Sequence, residues 1–192
     1  MKQLILGGVR SGKSHYAEQE GLSSGIAAGQ SLWYVATAAI KQDDHEMVRR
    51  IELHQQQRDK QWRLIEEPLQ LAEVLRKYNT PEYCLLIDCL TVWLTNALLD
   101  HCWAEVKQAF LQAFIQSKAS VFLVSSEVGS GVIPMGELSR QFVDESGCLH
   151  QELALHCDKV SLVIAGLPMH LKTMCEDPSD KKPIHKNHLN SP

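Results

Sequence analysis

Residues 7–14 read Gly7-Gly8-Val9-Arg10-Ser11-Gly12-Lys13-Ser14, and they follow directly on the apolar run Leu4-Ile5-Leu6. This is G-x-x-x-x-G-K-S entered from a short strand, the pattern of a phosphate-binding P-loop. Its glycines permit close backbone approach, and its N–H groups, with those of the next helix, point at phosphates. Lys13 can reach the β- and γ-phosphates, and Ser14 can bind the Mg²⁺ that bridges them. The complete pattern disfavours a plain glycine-rich turn and predicts binding of a nucleoside triphosphate.

Length, composition and charge narrow the class of protein. The chain has 192 residues, of which 44% are hydrophobic and 22% charged, with a formal net charge of −4. These values are typical of one globular domain and argue against nucleic-acid binding through a basic surface. No apolar run approaches the roughly 20 residues of a membrane-spanning helix. Because the first predicted strand begins at residue 3, we expect no signal peptide. We expect a cytoplasmic protein without nucleic-acid or membrane partners.

The six cysteines contain no C-x-x-C pair, and several lie inside apolar stretches. This distribution favours buried, reduced thiols over disulfides or a zinc site.

Short apolar runs alternate with longer segments of helical spacing. Predicted strands cover residues 3–6, 32–36, 83–87, 121–125 and 160–165, with a weaker candidate at 62–65. Helical spacing covers residues 69–78, 103–116 and 137–155. Alternation of this kind implies crossover connections and a largely parallel sheet. We therefore expect an α/β fold, a three-layer RecA-like P-loop NTPase with helices flanking a mostly parallel central sheet.

The domain is expected to occupy residues 1–172. Residues 173–192 are polar and include Glu-Asp-Pro-Ser-Asp-Lys-Lys-Pro, which is typical of a disordered tail. His185 and His188 in this segment are better explained by a solvated surface than by a metal site.

Asp88 is the first candidate partner of the P-loop. It follows the apolar residues 84–87, and P-loop enzymes place an acidic residue at the end of a second buried strand to organise Mg²⁺. The alternative is an aspartate that caps the next helix. The complete P-loop favours the metal-associated interpretation.

The segment 43–62 is the most unusual part of the chain. Met47, Ile51, His54 and Arg58 are spaced so that they share one helix face. His45 lies nine residues before His54, about half a turn away around the helix. From spacing alone, a core-lining or surface histidine is favoured over a functional His54.

Taken in order, six segments resemble the bifunctional adenosylcobinamide kinase/adenosylcobinamide-phosphate guanylyltransferase family of cobalamin biosynthesis. They are residues 7–14 (GGVRSGKS), 34–38 (YVATA), 46–58 (EMVRRIELHQQQR), 88–96 (DCLTVWLTN), 127–134 (EVGSGVIP) and 163–172 (VIAGLPMHLK). The likeness covers residues 1–172 and is far more specific than a P-loop alone.

The resemblance implies a two-step enzyme. ATP or GTP would phosphorylate the hydroxyl of the aminopropanol arm of adenosylcobinamide. GTP would then guanylylate a histidine, which passes GMP to the phosphorylated cobinamide and gives adenosylcobinamide-GDP. A neutral imidazole is a competent nucleophile near neutral pH. The resemblance also implies a symmetric trimer.

Each role is carried over by position. The resemblance makes His54 and Lys13 the catalytic residues, and Ser14 and Asp88 the residues that hold Mg²⁺. The nucleotide contacts it implies are Gly7, Gly8, Val9, Arg10, Ser11, Gly12, Lys13, Ser14, Ala36, Thr37, Ala38, Gln55, Gln56, Gln57, Arg58, Glu66 and Asp88. The sequence departs from the family pattern at Leu53, where some relatives carry a second histidine, and at Ser126, where asparagine is expected.

Two other functions stay open. A monofunctional P-loop small-molecule kinase would use no covalent histidine. A GTP-dependent switch would carry a guanine-reading Asn-Lys-x-Asp segment, and none occurs in the sequence.

Overall fold

The computed structural model describes residues 1–38, 59–132 and 134–173. His45, His54, Gln55, Gln56, Gln57, Arg58 and the tail from residue 174 onward lie outside these residues. The strands within them are β1 (Lys2–Gly7), β2 (Ser31–Ala36), β3 (Arg63–Glu66), β4 (Tyr83–Asp88), β5 (Ser120–Ser126), β6 (Lys159–Ile164) and β7 (Leu167–Lys172). The helices are α1 (Lys13–Ala27), α2 (Leu71–Lys77), α3 (Leu90–Leu99), α4 (Trp103–Gln116) and α5 (Glu137–His156).

All seven strands form one sheet in the order β3-β2-β4-β5-β1-β6-β7. Neighbouring strands from β3 to β6 run parallel, and β7 alone is antiparallel to its neighbour β6. The carboxyl ends of β1 to β6 therefore meet at one edge of the sheet, which we call the carboxyl edge. Ligands of open parallel sheets bind at this edge.

Two apolar cores cover the two faces of the sheet. One contains Leu4 and Leu6 of β1 and residues from α2 to α5, such as Trp93, Phe110 and Leu149. The other contains Ile5 of β1 and Ala17 of α1. Because side chains alternate along a strand, each buried strand supplies both cores. The arrangement is helix, sheet, helix, and the predicted three-layer α/β fold with a mostly parallel sheet is confirmed.

The predicted strands agree with the observed ones to within one residue at each end, and the weak candidate at 62–65 is β3. The sequence did not predict β7. That strand contains Pro168, which disfavours a strand assignment except at a sheet edge, and β7 is the edge strand. The predicted strand 160–165 runs one residue too far, since Ala165 and Gly166 form the β6–β7 turn with positive φ angles of 53° and 79°.

In the part of the chain that the structure describes, Cys84, Cys89, Cys102, Cys148 and Cys157 are free thiols. Burial raises the pKa of Cys84 and of Cys157 to about 12, so both stay protonated at neutral pH. Across the same residues, every helix is too short or too polar to cross a bilayer.

Candidate active site

The P-loop connects the end of β1 to the start of α1. Tyr16 N–H donates to the carbonyl of Gly12 at 2.9 Å, so the first helical turn begins directly after the loop. Gly12 adopts a φ angle of 93°, in the region that favours glycine. Lys13 Nζ donates to the carbonyl of Gly8 at 3.1 Å, which places the ammonium group over the loop. This arrangement leaves loop N–H groups and a lysine together at a helix N-terminus, where phosphates bind.

The P-loop is packed against the β6–β7 turn. Gly166 N–H donates to the carbonyl of Ser11 at 2.8 Å. A β-carbon at Gly12 would lie 3.1 Å from Gly166 Cα, and one at Gly7 would lie 2.7 Å from the carbonyl oxygen of Val163. Glycine is therefore required at both positions by close backbone neighbours, and the loop conformation depends on β6 and the turn after it.

Asp88 ends β4 on the same face of the sheet as α1. Cys84 and Leu86, four and two residues earlier, belong to the core that contains Ala17 of α1. Tyr34 of β2 donates its hydroxyl hydrogen to Asp88 Oδ2 at 2.8 Å. Helix α3 has Cys89 at its N-cap and no side-chain cap. Asp88 therefore does not cap α3, and its side chain faces the layer that begins with Lys13 and Ser14.

Thr37 joins the ends of β2 and β4. Its side chain is fully buried, and its hydroxyl donates to the carbonyl of Cys89 at 2.8 Å and accepts the N–H of Cys89 at 3.0 Å. Burial, reinforced by the Asp88 carboxylate, raises the pKa of Cys89 to about 11, and Lys13 opposes the shift. Lys13 is thus within electrostatic range of the end of β4.

Asn96 of α3 ties two loops of the carboxyl edge together. Its Nδ2 donates to the carbonyl of Thr37 at 2.9 Å and to the carbonyl of Pro68 at 3.1 Å. Nearby, Trp93 Nε1 donates to the carbonyl of Leu69 at 2.7 Å. Helix α3, which follows Asp88, therefore fixes the loops after β2 and β3.

Glu66 and Glu67 follow β3 and have different surroundings. Glu66 pairs in register with Ala36 and is exposed at the carboxyl edge. Glu67 accepts the N–H groups of Leu69 and Gln70 through Oε1, at 3.0 and 2.7 Å, and so stabilises the start of α2. Among the described residues the Glu66 side chain makes no hydrogen bond, whereas the Glu67 side chain stabilises the loop before α2.

The end of β5 is held by hydroxyl groups and one imidazole. Thr91 Oγ1 accepts the N–H of Ser126 at 2.7 Å and lies 3.3 Å from Ser125 Oγ. His150 Nε2 of α5 lies 2.7 Å from the same Ser125 oxygen. Burial lowers the pKa of His150, and the Glu127 carboxylate opposes the shift. This buried chain connects α5 to α3 through β5.

The structure brings most of the predicted site residues to the carboxyl edge. Residues 7–14, 36–38, 66 and 88 lie at the ends of β1, β2, β3 and β4. His54, Gln55, Gln56, Gln57 and Arg58 lie outside the described residues. Sequence reasoning did not single out the residues that hold the edge: Tyr34, Thr91, Asn96, Ser125 and His150. Three of these five, Tyr34, Thr91 and Asn96, fall within the segments quoted for the resemblance, and their polar side chains among apolar residues were the available signal.

The donors present at this edge fit a magnesium ion. Mg²⁺ in nucleotide sites is bound by one or two protein oxygens together with phosphates and waters. Ser14 supplies a hydroxyl, and Asp88 supplies a carboxylate whose Oδ2 is held by Tyr34. No cluster of three or more His, Cys, Asp or Glu side chains suited to a metal occurs among the described residues. The edge therefore suits an ion that arrives with a nucleotide.

Comparisons with known proteins agree over nearly the whole chain. The model of the family described as cobinamide kinase / cobinamide phosphate guanyltransferase matches residues 3–171. The bifunctional adenosylcobalamin biosynthesis protein CobP of Pseudomonas aeruginosa is 47% identical over 175 residues, covering 90% of this chain and 98% of that protein. The protein CobU of Escherichia coli, described in the same words, is 34% identical over 189 residues, covering 90% of this chain and all of that protein.

Among solved structures, the flagellar accessory protein FlaH of Methanocaldococcus jannaschii superimposes with a TM-score of 0.48 at 10% identity. The match covers 90% of this chain and 78% of that chain. The fold assignment rests on the strand order and the two cores described above, and not on this likeness.

Proposed function

The chain belongs to the cobinamide kinase / cobinamide phosphate guanyltransferase family, and from this premise we propose that it performs both reactions at the carboxyl edge. It phosphorylates adenosylcobinamide with ATP or GTP, and then transfers GMP from GTP to the phosphorylated product. The observation that carries the proposal is the convergence of the P-loop, the Tyr34–Asp88 pair and the loop held by Asn96.

In the kinase step, the hydroxyl oxygen of the aminopropanol arm attacks the γ-phosphorus of the nucleotide. The bond from that phosphorus to the β–γ bridging oxygen breaks, the nucleoside diphosphate leaves, and the hydroxyl proton passes to solvent or a nearby base. Lys13 and the loop N–H groups stabilise the charge that develops on the phosphate oxygens. Mg²⁺ held by Ser14 and Asp88 supplies further charge neutralisation when it is bound.

In the transfer step, a neutral His54 nitrogen attacks the α-phosphorus of GTP and pyrophosphate leaves. A phosphate oxygen of the phosphorylated cobinamide then attacks the same phosphorus, the phosphorus–nitrogen bond breaks, and His54 is regenerated. The product contains a new phosphoanhydride, as adenosylcobinamide-GDP requires. A histidine nucleophile divides one displacement into two easier ones. The role of His54 is supported by its position in the segment 46–58, which resembles the family pattern.

The test is incubation with α-labelled GTP and Mg²⁺, followed by denaturation and recovery of the protein. We expect a label that is lost in acid and kept in base, as a phosphorus–nitrogen bond requires. The label should disappear in His54→Ala and remain in His45→Ala, the matched control in the same segment. A label retained in His54→Ala and lost in His45→Ala would move the nucleophile. No label with folded wild-type protein, alongside phosphorylation of cobinamide, would establish the monofunctional kinase instead.

A further inference from the structure

A cavity of about 470 Å³ adjoins the P-loop. Its walls come from residues 8–11 of the loop, from Glu127 and Ser130 after β5, and from residues 162–165 at the end of β6. The volume lies within the range of small-molecule sites, roughly 300–1,000 Å³. The nucleotide contacts implied by the family resemblance include residues 8–11 of the loop but none of β6, so the wall formed by β6 has no assigned ligand.

The strand order separates the cavity from the other predicted nucleotide contacts. Ala36, Glu66 and Asp88 end β2, β3 and β4, which lie on one side of β1 with β5 between. The cavity reaches β6, on the other side of β1. Since parallel strands are about 4.8 Å apart, β4 and β6 are separated by about 14 Å. The cavity therefore extends across the P-loop, from the loop after β5 to the end of β6.

The lining of the cavity combines apolar walls with charged groups. Leu162, Val163 and Ile164 form one wall, and Val9, 74% exposed, lies on the loop opposite. The Arg10 guanidinium also lines the cavity, and it makes no hydrogen bond or ion pair with any residue in the described ranges. An unpaired guanidinium beside a P-loop is suited to a phosphate, which it can bind through two parallel N–H···O bonds.

Glu127 faces the same space in a fixed orientation. Its Oε1 accepts the N–H of Gly129 at 2.8 Å, and its Oε2 accepts the N–H of Ser130 at 3.3 Å. Each oxygen keeps a lone pair that can accept a hydrogen bond from a hydroxyl or an amide. The cavity therefore offers an acceptor for an alcohol or amide and a cation for a phosphate.

On the basis of the function proposed above, we propose that this cavity is the seat of the acceptor: the aminopropanol arm of cobinamide, with its phosphate paired to Arg10. The arm is short, partly apolar and amide-linked, so it matches the size and lining of the cavity. The macrocycle is far larger and stays outside the mouth. Two apolar lining residues, Val9 and Ile164, are 74% and 57% exposed and so are open to contact with it.

The experiment measures the acceptor directly. Wild-type protein is pre-labelled with α-labelled GTP, and the rate at which added cobinamide phosphate removes the label is followed against its concentration. Ile164→Trp fills the cavity from β6 and should raise the half-saturating concentration at least tenfold. Ile26→Trp is the matched control, since Ile26 is similarly exposed, at 52%, but lies near the far end of α1. Ile26→Trp should leave the half-saturating concentration of cobinamide phosphate within twofold of the wild-type value.

A second variant tests the phosphate contact. Arg10→Ala removes a charge-assisted contact. It should therefore raise the half-saturating concentration of cobinamide phosphate about 10- to 100-fold. Because Arg10 is also among the implied nucleotide contacts, the kinase step is measured at saturating nucleotide. The half-saturating concentration of unphosphorylated cobinamide should then rise less than that of cobinamide phosphate, because the alcohol lacks the phosphate that the guanidinium binds. Equal effects on the two acceptors would overturn the assignment of Arg10. If Ile164→Trp raised the half-saturating concentration of GTP and left those of both acceptors unchanged, the cavity would be a nucleotide site instead.

Equilibrium dialysis tests whether the cavity binds the acceptor, independently of whether the protein catalyses the proposed reactions. Cobinamide phosphate is coloured, so its binding is measured by absorbance without any turnover. Wild-type protein should bind it, whereas Ile164→Trp, and Ile164→Glu as a variant that needs no extra volume, should bind it at least tenfold more weakly. Binding that is equal in all three folded proteins would overturn the seat, even if both enzymatic steps proceed.

Discussion

The hydroxyl of Tyr34 donates a hydrogen bond to Asp88 Oδ2 at 2.8 Å, joining β2 to the end of β4. Tyr34 is buried, and its ring stands edge-on to Trp62 with centroids 6.4 Å apart. The carboxylate is thereby held on the α1 face of the sheet. One oxygen of Asp88 accepts this hydrogen bond, and the other makes no hydrogen bond to any described residue.

Tyr34→Phe removes this hydrogen bond and keeps the ring. Since groups that orient a ligand typically change metal affinity by about 10- to 100-fold, we expect at least a tenfold rise in the Mg²⁺ concentration for half-maximal kinase rate. The free energy of unfolding should fall by about 1 kcal/mol. Tyr78→Phe, in a buried tyrosine of the other core, should leave the Mg²⁺ dependence unchanged. Magnesium titrations of the initial rate and urea unfolding provide both measurements, and equal Mg²⁺ curves would show that Tyr34 has no role in orienting Asp88.

Lys13→Ala should depress both half-reactions, because both begin with a nucleotide on the same loop. Loss of a contact between an ammonium group and phosphate is worth about 1.5–3 kcal/mol, or about 10- to 100-fold in rate. Self-labelling by α-labelled GTP and phosphorylation of cobinamide are measured separately. Lys118→Ala, exposed at the opposite end of the sheet, serves as the control. Normal self-labelling with an impaired kinase step would indicate separate nucleotide sites.

Asn96→Asp changes almost no volume but removes the donor that binds two carbonyl groups. A carboxylate facing the Thr37 and Pro68 carbonyls leaves each without its donor, at a cost of about 1–3 kcal/mol for each unsatisfied group. The control is Asn79→Asp, because Asn79 Oδ1 accepts the N–H of Lys118 at 2.8 Å and a carboxylate still accepts it. Urea unfolding should show a large decrease in the free energy of unfolding for Asn96→Asp and a small decrease for Asn79→Asp. Similar losses would mean that the Asn96 contacts contribute little.

His150 should make the stability of the protein depend on pH. Its pKa in the folded protein lies below the ordinary value because the neutral ring is buried. The unfolded chain, with a histidine pKa of about 6.5, then binds the proton more readily. Stability is therefore full above about pH 6.5 and falls as the pH drops from there toward the folded pKa, by at most about 1.4 kcal/mol per pH unit.

The measurement is urea unfolding at several pH values between 7.5 and 5. His150→Gln can still donate to Ser125 and carries no titrating group, so its unfolding free energy should fall less over this range than that of the wild type. His156→Gln, exposed on the same helix, should retain the wild-type slope. If His150→Gln kept that slope as well, another group would be responsible.

The local parts of this structure were predictable from the sequence, and the long-range pairs were not. The P-loop and strand β4, which ends at Asp88, are each a continuous stretch of sequence. The P-loop is therefore identified by its motif, and β4 by its run of apolar residues. The contact of His150 with Ser125 spans 25 residues, and that of Tyr34 with Asp88 spans 54. Both depend on which strands and helices are neighbours, and no period in the sequence specifies the strand order. Edge strand β7 was missed because Pro168 is compatible with a strand only at an edge.

The seating of the P-loop against Gly166 has a consequence for how the protein is made. Strand β1 lies between β5 and β6, so its hydrogen-bonding partners are synthesised more than a hundred residues after it. The loop that opens the fold acquires its last backbone contact only from the β6–β7 turn. Contacts of such sequence separation slow folding, and they leave early segments unpaired on the ribosome. The nascent chain should therefore gain the ability to bind a nucleotide late and abruptly, when residue 166 has left the exit tunnel, and not gradually as each strand emerges.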